Sequence, residues 1–382
     1  MDFDLTEEQK DIARAAREFA EKEFPDQGEE CDRKEEFPRH LWKKACELGF
    51  VGVFIPEAYG GAGLRFSEHC LICEEFWRVD PGIGMSILST TFGSEMIVLF
   101  GNEEQKKKRL PSLVKGETIT GAAITEPDAG SDVSSVSTSA ELRGDEYIIN
   151  GNKMFITNGT LANFLQVLCV TEPNVKSRHD RFSVITVETD RKGYEANKLK
   201  NKLGIRASDT TEITFSDVRV PKENLIGIPG KGFHQFMSFF DHTRLHICAQ
   251  ATGLAQGAME QAIKHVRERK VFGKPLASFQ ATQFKIAEMA TRIEAGRTLY
   301  QKAAWLVDHG RIESHLISMG KWFTGETAVW VTNESLQLHG GYGYIGDYKI
   351  ERFYRDAKIV EIYEGTKEIE KMVIARALLG KY

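Results

Sequence analysis

The hydrophobic residues of this chain change their spacing twice, and this change restricts the fold more than any other feature of the sequence. Up to about residue 118 they recur every three to four positions, as on amphipathic helices. From 119 to 231 they form short runs of period two, with no helix-length segment between the runs. The helical spacing then returns and continues to residue 382. We therefore predict an α+β chain of three domains: a helical domain (1–118), an antiparallel β-sheet or barrel domain (119–231) and a helical bundle (232–382).

Local signals predict further elements within these domains. Pro25 is expected to end the first helix, because proline lacks the backbone N–H that a helix interior needs. The segment from Gly84 to Leu99 is expected to form one helix, although serine and threonine side chains interrupt its apolar face. Asn150-Gly151-Asn152 is expected to form a turn between two strands. The C-terminal helices are expected at Phe233–Lys270, Phe279–His309, Ile312–His339 and Lys367–Leu379.

The composition argues against several classes of function. Lys and Arg number 50 against 55 Asp and Glu, and the net charge of −5 gives no indication of nucleic acid or of an anionic membrane as a partner. The N-terminus lacks the basic and apolar segments of an export signal, so the six dispersed cysteines are expected to be reduced, in a cytoplasmic location. No apolar run reaches the roughly 18 residues that a membrane span requires.

Three motifs imitate functional sites without their usual context. Cys70 and Cys73 form a C-x-x-C pair, but they lie in a predicted amphipathic helix, where packing is the simpler role. His242 and His246 have metal-ligand spacing without a third ligand, so core or ligand-contact roles are expected and no metal is predicted. The segment from Gly341 to Gly346 matches G-x-G-x-x-G, but a helix precedes it where a dinucleotide-binding fold needs a strand.

One carboxylate is a candidate general base. Glu364 follows an apolar run from Ile359 to Tyr363 and directly precedes Gly365, so it could lie partly desolvated against a closely approaching ligand. Thr366 then suits the N-cap of the last helix. An exposed glutamate in a loop before a terminal helix has the same pattern, and the residues alone leave this alternative open.

A second candidate is the segment Ile124-Thr-Glu-Pro-Asp-Ala-Gly-Ser-Asp132, which follows a predicted strand. Gly130, Ser131 and Asp132 could present N–H groups and a hydroxyl to a phosphate or a thioester, and Thr125 could hydrogen-bond a ring carbonyl. An ordinary β-turn has the same composition, so this alternative also stays open.

Five segments together give the chain a resemblance that covers almost its whole length. In order they are ITEPDAGSD (from Ile124), KMFITNG (from Lys153), Asp241–Arg244, RERKVFGKPLASFQ (from Arg267) and Gln337–Thr366, which ends in RDAKIVEIYEGT. The chain resembles the acyl-CoA dehydrogenase flavoproteins. The resemblance implies an N-terminal helical domain, a middle β-domain, a C-terminal four-helix bundle, a homotetramer and FAD as the cofactor.

The resemblance also implies a set of site residues. Glu364 matches the catalytic base of the family. The implied cofactor-binding residues are Ala122, Ala123, Ile124, Thr125, Gly130, Ser131, Phe155, Ile156 and Thr157, with Arg269, Phe272, Gln280, Gln337, Gly340 and Gly341 reaching a flavin across a dimer contact, and Thr366 and Glu368 facing the flavin of their own subunit. The implied substrate-binding residues are Ser131, Asp241, His242, Thr243, Arg244 and Gly365.

The reaction that the resemblance implies is α,β-dehydrogenation of an acyl-CoA to the 2-enoyl-CoA, with proton abstraction at Cα, hydride transfer from Cβ to flavin N5 and an electron-transferring flavoprotein as acceptor. Some relatives carry the base where this chain has Thr243, which cannot serve as one. The pocket segment Gly82–Gly101 holds no Lys or Arg, so an acyl group with a distal carboxylate is not expected. A short or medium chain, or a compact alicyclic group such as cyclohexanecarboxyl, is expected instead.

Three other functions compete with this interpretation. An oxidase of the same superfamily would pass electrons to O2, and a non-catalytic protein would bind CoA thioesters without turnover. A nicotinamide dehydrogenase would use the glycine motif that begins at Gly341.

Overall fold

The structure, a computed structural model, describes residues 4–380. Helices both precede and follow the main sheet, which confirms the predicted fold class. The helices are α1 (Glu7–Glu23), α2 (Pro25–Lys34), α3 (Arg39–Glu47), α4 (Phe66–Val79), α5 (Pro81–Leu88), α6 (Ser94–Phe100), α7 (Glu103–Val114), α8 (Gly232–Glu268), α9 (Gln280–Asp308), α10 (Ser314–His339), α11 (Ile350–Ala357) and α12 (Lys367–Leu379). The strands are β1 (Thr120–Ala123), β2 (Ser139–Arg143), β3 (Glu146–Thr157), β4 (Phe164–Val170), β5 (Phe182–Glu188), β6 (Tyr194–Lys198), β7 (Thr210–Pro221), β8 (Leu225–Ile226), β9 (Lys270–Val271) and β10 (Lys274–Pro275).

The first helices show how proline acts at a helix boundary. The Thr6 hydroxyl accepts from the Gln9 N–H at 3.2 Å, and the Gln9 side chain accepts from the Thr6 N–H at 3.1 Å, which forms a capping box. Helix α1 ends before Pro25, as predicted, but Pro25 also begins α2, which the sequence analysis missed. Proline is tolerated at the first position of a helix because its missing N–H would have no intrahelical partner there.

The prediction of a single helix from Gly84 to Leu99 was wrong. Helix α5 ends at Leu88, a 3₁₀ turn follows at Ser89–Thr91, and Gly93 takes a φ of +98° before α6 begins. The break has a packing cause, since a Cβ on Gly93 would lie 2.9 Å from the Gly121 carbonyl oxygen of β1. By length and composition Pro81–Phe100 could cross a membrane, contrary to our reading of the sequence, but 72% of its apolar window is buried inside the protein.

The middle of the chain forms an eight-stranded sheet in the order β6-β7-β3-β2-β4-β5-β8, with β1 paired to β4. Most pairs are antiparallel, as predicted, but β4 runs parallel to β1, pairing Thr120 with Phe164, and parallel to β2, pairing Ser139 with Val170. The predicted turn at 150–152 was wrong, because β3 continues through it. Gly151 lies at a bulge with a φ of +145°, and a Cβ there would lie 2.6 Å from the Thr138 hydroxyl oxygen.

Side chains and main chain join the three parts of the chain. The Asn158 amide, just after β3, donates to the Ser89 carbonyl at 2.8 Å and to the Thr120 carbonyl at 3.1 Å. The Ile205 N–H donates to Asp356 Oδ1 at 2.6 Å, which fixes the β6–β7 loop to α11. Helix α8 packs against α4, α9 and α10, so the C-terminal bundle also contacts the N-terminal helices.

Candidate active site

Glu364 lies in a left-handed turn between α11 and α12. Its φ is +57°, and Gly365 follows with a φ of +108°. The Thr243 hydroxyl of α8 donates to Glu364 Oε2 at 2.6 Å. The side chain of Glu364 is half-buried. Burial raises its pKa, although the Thr243 hydrogen bond and the charges of Arg244 and Lys321 act in the opposite direction.

Helix α8 also holds the main chain of this turn. Arg244 Nε donates to the Glu364 carbonyl oxygen at 2.8 Å. A Cβ on Gly365 would lie 2.2 Å from Glu370 Oε1 and 3.0 Å from Arg244 Nη2. The turn therefore requires glycine at 365 on two grounds, its backbone conformation and the closeness of two charged side chains.

Two charged residues in contact with this turn were absent from the sequence analysis. Lys321 of α10 is 1% exposed, and its Nζ donates to the Gly365 carbonyl oxygen. Glu370 of α12 is fully buried, and its Oε1 lies 3.2 Å from Arg244 Nε. Burial lowers the pKa of Lys321 to about 8 and raises the pKa of Glu370. In the sequence, Lys321 and Glu370 each look like an ordinary polar residue on a helix, so no local signal marks them as buried.

The segment after β1 is held rigidly by β3. Lys153, which is 1% exposed, donates to the Ile124 carbonyl at 2.9 Å and to Glu126 Oε1 at 3.0 Å. The Met154 N–H donates to the Thr125 carbonyl at 2.8 Å. Burial alone would raise the pKa of Glu126, but Lys153 and the donors at residues 137–138 outweigh it and lower the pKa to about 2. The segment Ile124–Glu126 is therefore held in place by β3, and we call it, together with the end of β3, the platform.

The predicted flavin-contacting residues of the β-domain come together at this platform. A Cβ on Gly121 would lie 2.6 Å from the Thr157 carbonyl oxygen, so β1 and the end of β3 are in close contact. Phe155 takes a φ of +60°, and its ring is 64% exposed. Residues 122–124 and Ile156 are buried, Thr125 and Thr157 are half-buried, and Gly130 and Ser131 are exposed.

A second group of predicted residues lines a separate cleft of about 500 Å³. Arg269, Gln337, Gly340 and Gly341 are among its lining residues. Arg269 lies 5.6 Å from the centre of the Tyr342 ring, and it makes no ion pair within residues 4–380. A cation without a carboxylate partner, beside glycines that permit close backbone approach, fits the pyrophosphate of FAD. Phe272, on the β9–β10 hairpin, is 94% exposed, and Gln280, the first residue of α9, is also exposed.

The remaining predicted residues make their hydrogen bonds and ring contacts with partners other than Glu364. Asp241 Oδ2 accepts from the Ser314 hydroxyl at 2.8 Å. The centre of the His242 ring lies 4.8 Å from that of Phe66. Thr366 accepts from the Ile369 N–H at 3.5 Å and caps α12, as the sequence predicts, while Glu368 is exposed.

The motifs without functional context are part of the core or of loops. All six cysteines, including Cys70 and Cys73 on α4, are buried and unpaired. The His246 ring lies 4.2 Å from that of His69 in the interior. Among residues 4–380 there is no group of three or more His, Cys, Asp or Glu side chains that could hold a metal ion. The glycine motif from Gly341 falls in 3₁₀ turns after α10.

Comparisons with known proteins identify the family. The N-terminal, middle and C-terminal domain models of acyl-CoA dehydrogenase match residues 6–117, 121–218 and 230–379. A probable acyl-CoA dehydrogenase of Bacillus subtilis is 42% identical over 380 residues, 99% of this chain and 100% of the relative. An acryloyl-CoA reductase (NADH) of Anaerotignum propionicum is 43% identical over 383 residues, 100% of this chain and 97% of the relative. The solved butyryl-CoA dehydrogenase of Megasphaera elsdenii has a TM-score of 0.95 at 37% identity, over 99% of this chain and 100% of that one. The chain therefore belongs to the acyl-CoA dehydrogenase family of FAD-dependent oxidoreductases.

Proposed function

We propose that Glu364 is the base that removes the α-proton of an acyl-CoA thioester. The observation that carries this proposal is the half-buried carboxylate itself, oriented by the Thr243 hydroxyl at 2.6 Å. Burial raises the pKa of Glu364, and a higher pKa makes a carboxylate a stronger base toward a carbon acid. FAD, when bound, supplies the acceptor for the hydrogen that leaves Cβ.

Other groups of the chain prepare this step. Arg244 fixes the Glu364 carbonyl, so the carboxylate is carried on a main chain that cannot rotate freely. Within the described residues the Glu364 N–H has no backbone acceptor, which leaves it able to donate to a thioester carbonyl. Such a donor would stabilise the charge that develops on that oxygen as the α-proton leaves. The platform residues Thr125, Phe155 and Thr157, with Arg269 in the cleft, are the proposed contacts to FAD.

The substrate that we propose is an acyl-CoA with a short, uncharged acyl group. Glu95 is 2% exposed on α6, within the segment that the family resemblance assigns to the acyl pocket. A buried carboxyl group offers no ion pair to a second carboxylate on the acyl chain. The similarity to a butyryl-CoA dehydrogenase favours a straight chain. A compact alicyclic group such as cyclohexanecarboxyl stays a prediction, because the contacts of Glu364 do not distinguish it from a straight chain.

The proposed direction is dehydrogenation, with an electron-transferring flavoprotein as acceptor. A second candidate is the reverse reaction, reduction of a 2-enoyl-CoA, in which protonated Glu364 returns the proton to Cα. The 43% identity to an acryloyl-CoA reductase (NADH) favours this candidate. The raised pKa of Glu364 suits either direction, because a group that titrates nearer neutrality can both accept and donate a proton.

The role of Glu364 is tested by the variant Glu364→Gln. We expect it to retain FAD and to bind acyl-CoA, but to lose at least about 10³-fold in the rate of flavin reduction, because the amide of glutamine cannot accept the α-proton. The rate is measured by anaerobic stopped-flow absorbance. Glu361→Gln serves as the control, since Glu361 is also buried but pairs with Lys358 and Lys367 instead of with the Glu364–Gly365 turn. Flavin reduction close to the wild-type rate in Glu364→Gln would refute the assignment.

The same apparatus distinguishes the competing functions. A panel of linear, branched and cyclic acyl-CoAs, mixed anaerobically with the holoenzyme, identifies the acyl group by the rate at which the flavin absorbance bleaches. Production of hydrogen peroxide in air would favour an oxidase, and flavin that never bleaches would favour a non-catalytic binder. Consumption of NADH with acryloyl-CoA but no bleaching by saturated acyl-CoAs would favour the reductase.

A further inference from the structure

The main chain of the Glu364–Gly365 turn is the meeting point of charged side chains from three helices. Arg244 Nε of α8 is shared between the Glu364 carbonyl at 2.8 Å and Glu370 Oε1 at 3.2 Å. Lys321 of α10 donates to the next carbonyl, that of Gly365. Glu370 and Lys321 are almost completely buried, so neither can be explained as a solvated surface charge.

We propose that Glu370 and Lys321 are positioning residues, which hold the Glu364–Gly365 turn in its left-handed conformation and balance the charge beside the Glu364 carboxylate. This inference rests on the proposed role of Glu364 as the base. Neither residue is proposed to touch the substrate.

The backbone of Glu364 takes a conformation that its neighbours must hold in place. A non-glycine residue in the left-handed region costs about 1–3 kcal/mol and persists only where its surroundings hold it. The two consecutive carbonyls of this turn each accept a hydrogen bond from a cation. Glu370 keeps the Arg244 guanidinium in place by its ion pair, so its loss would free Arg244 to leave the Glu364 carbonyl.

Charged side chains of both signs also act on the Glu364 carboxylate. Arg244 and Lys321 lower the pKa of Glu364, whereas Glu370 raises it. Other groups act nearby. Glu95 of α6 interacts with Glu364, Asp241 of α8 adds to the rise in pKa that burial causes at Glu370, and the Tyr363 hydroxyl donates to Gln250 Oε1. Glu364 and Glu370 form a coupled pair, so the removal of one carboxylate changes the apparent pKa of the other.

Loss of Glu370 and loss of Lys321 should shift the pKa of Glu364 in opposite directions. Without Glu370, Arg244 and Lys321 still act on Glu364 but the opposing carboxylate is gone. The ionised form of Glu364 is then favoured, so its pKa falls. Without Lys321, one cation is lost and the pKa of Glu364 rises. A purely structural role would lower activity in both variants without shifting the two pH profiles in opposite directions.

The experiment follows flavin reduction by stopped flow between pH 5 and 7, where Lys321 carries its proton because its pKa is about 8. The variants are Glu370→Gln, Lys321→Met and the double variant, with Glu361→Gln as the matched control. We expect the acid limb of the pH–rate profile to move to lower pH by about half a unit or more in Glu370→Gln, and to higher pH by a similar amount in Lys321→Met. The maximal rate should fall about 10-fold in each, with KM within about 3-fold of wild type.

Two further measurements keep the test decisive. The double variant restores the charge balance, so its acid limb should return to within about 0.3 unit of wild type even if a single variant folds poorly. Hydrogen exchange of the peptide that covers residues 362–366 should be faster in both single variants than in the control. Shifts in the same direction, no shift, or an equal shift in Glu361→Gln would overturn the inference. If Glu364→Gln is inactive in the same assay, the proposed function would still stand.

Discussion

The pH dependence of stability should carry the signature of one buried carboxyl group, Glu95. Glu95 is 2% exposed near the start of α6, and its carboxylate accepts from the Gly93 N–H at 2.9 Å. Burial raises the pKa of Glu95 from 4.5 to about 8, and the nearby charge of Glu364 adds to the rise. The perturbation that we consider is Glu95→Gln, because an amide keeps the acceptor for Gly93 and carries no charge at any pH.

The size of the effect follows from the linkage between protonation and folding. Below pH 4.5 Glu95 is protonated in both the folded and the unfolded chain, so the raised pKa has no cost there. As the pH rises from 4.5 to 8, the unfolded chain loses this proton while the folded chain retains it, and the folded state loses stability. At 1.36 kcal/mol per pH unit, the full shift corresponds to about 5 kcal/mol above pH 8. Local relaxation around an ionised Glu95 reduces this value, so we expect about 2–5 kcal/mol.

The assay compares urea unfolding of the holoenzyme and of Glu95→Gln at pH 5, 7 and 8.5. We expect the two proteins to agree within about 1 kcal/mol at pH 5, and the variant to be more stable by about 2–5 kcal/mol at pH 8.5. Glu104→Gln is the control, because Glu104 is exposed on α7 and should show no gap that grows with pH. A gap independent of pH, or a wild type that is more stable at pH 8.5, would show that Glu95 is not held neutral in the folded state.

Two other predictions concern the turn and the cofactor cleft. Gly365→Ala places a Cβ against Glu370 at a φ of +108°, so we expect flavin reduction to slow by about 10- to 100-fold at unchanged FAD content, measured by stopped flow and absorbance. Wild-type rates in that variant would contradict the close packing of the turn. Arg269→Gln removes a cation of the cleft that makes no ion pair among residues 4–380, and we expect FAD to bind about 10- to 100-fold more weakly, measured by the fluorescence of released flavin. The control is Arg292→Gln, because Arg292 stacks on the Trp330 ring, and this variant should retain FAD. Equal losses of FAD affinity in both variants would argue against a specific phosphate contact.

The sequence predicted the long, regular elements well because periodicity accumulates over many residues. Helices α8, α9 and α10 begin and end within about two residues of the expected positions. The errors occurred where a neighbouring element decided the local structure. The break at Gly93 depends on its contact with Gly121 of β1, and the bulge at Gly151 depends on its contact with Thr138. In both cases the contacting residue is distant in the sequence.

The candidate site divides in the same way. Glu364 and Gly365 could be singled out because an apolar run followed by a carboxylate and a glycine is a local signal. Lys153 could not, since one lysine in a strand gives no indication that it will be 1% exposed and will hold the Ile124 carbonyl. The family resemblance supplied the cleft residues, and periodicity gave no reason to connect Arg269 with Gln337.

The charged residues around Glu364 show why such a site resists local analysis. Arg244, Lys321 and Glu370 come from three helices, and each occupies a position where a helix pattern also tolerates an exposed polar residue. Their burial depends on the rotation of each helix about its axis, which is set by packing across the whole bundle. Once buried, each charge requires the others, because an unpaired charge in this interior would cost several kcal/mol. The pKa of Glu364, and with it the strength of the base, is therefore a property of how the helices pack and not of the segment that carries the residue.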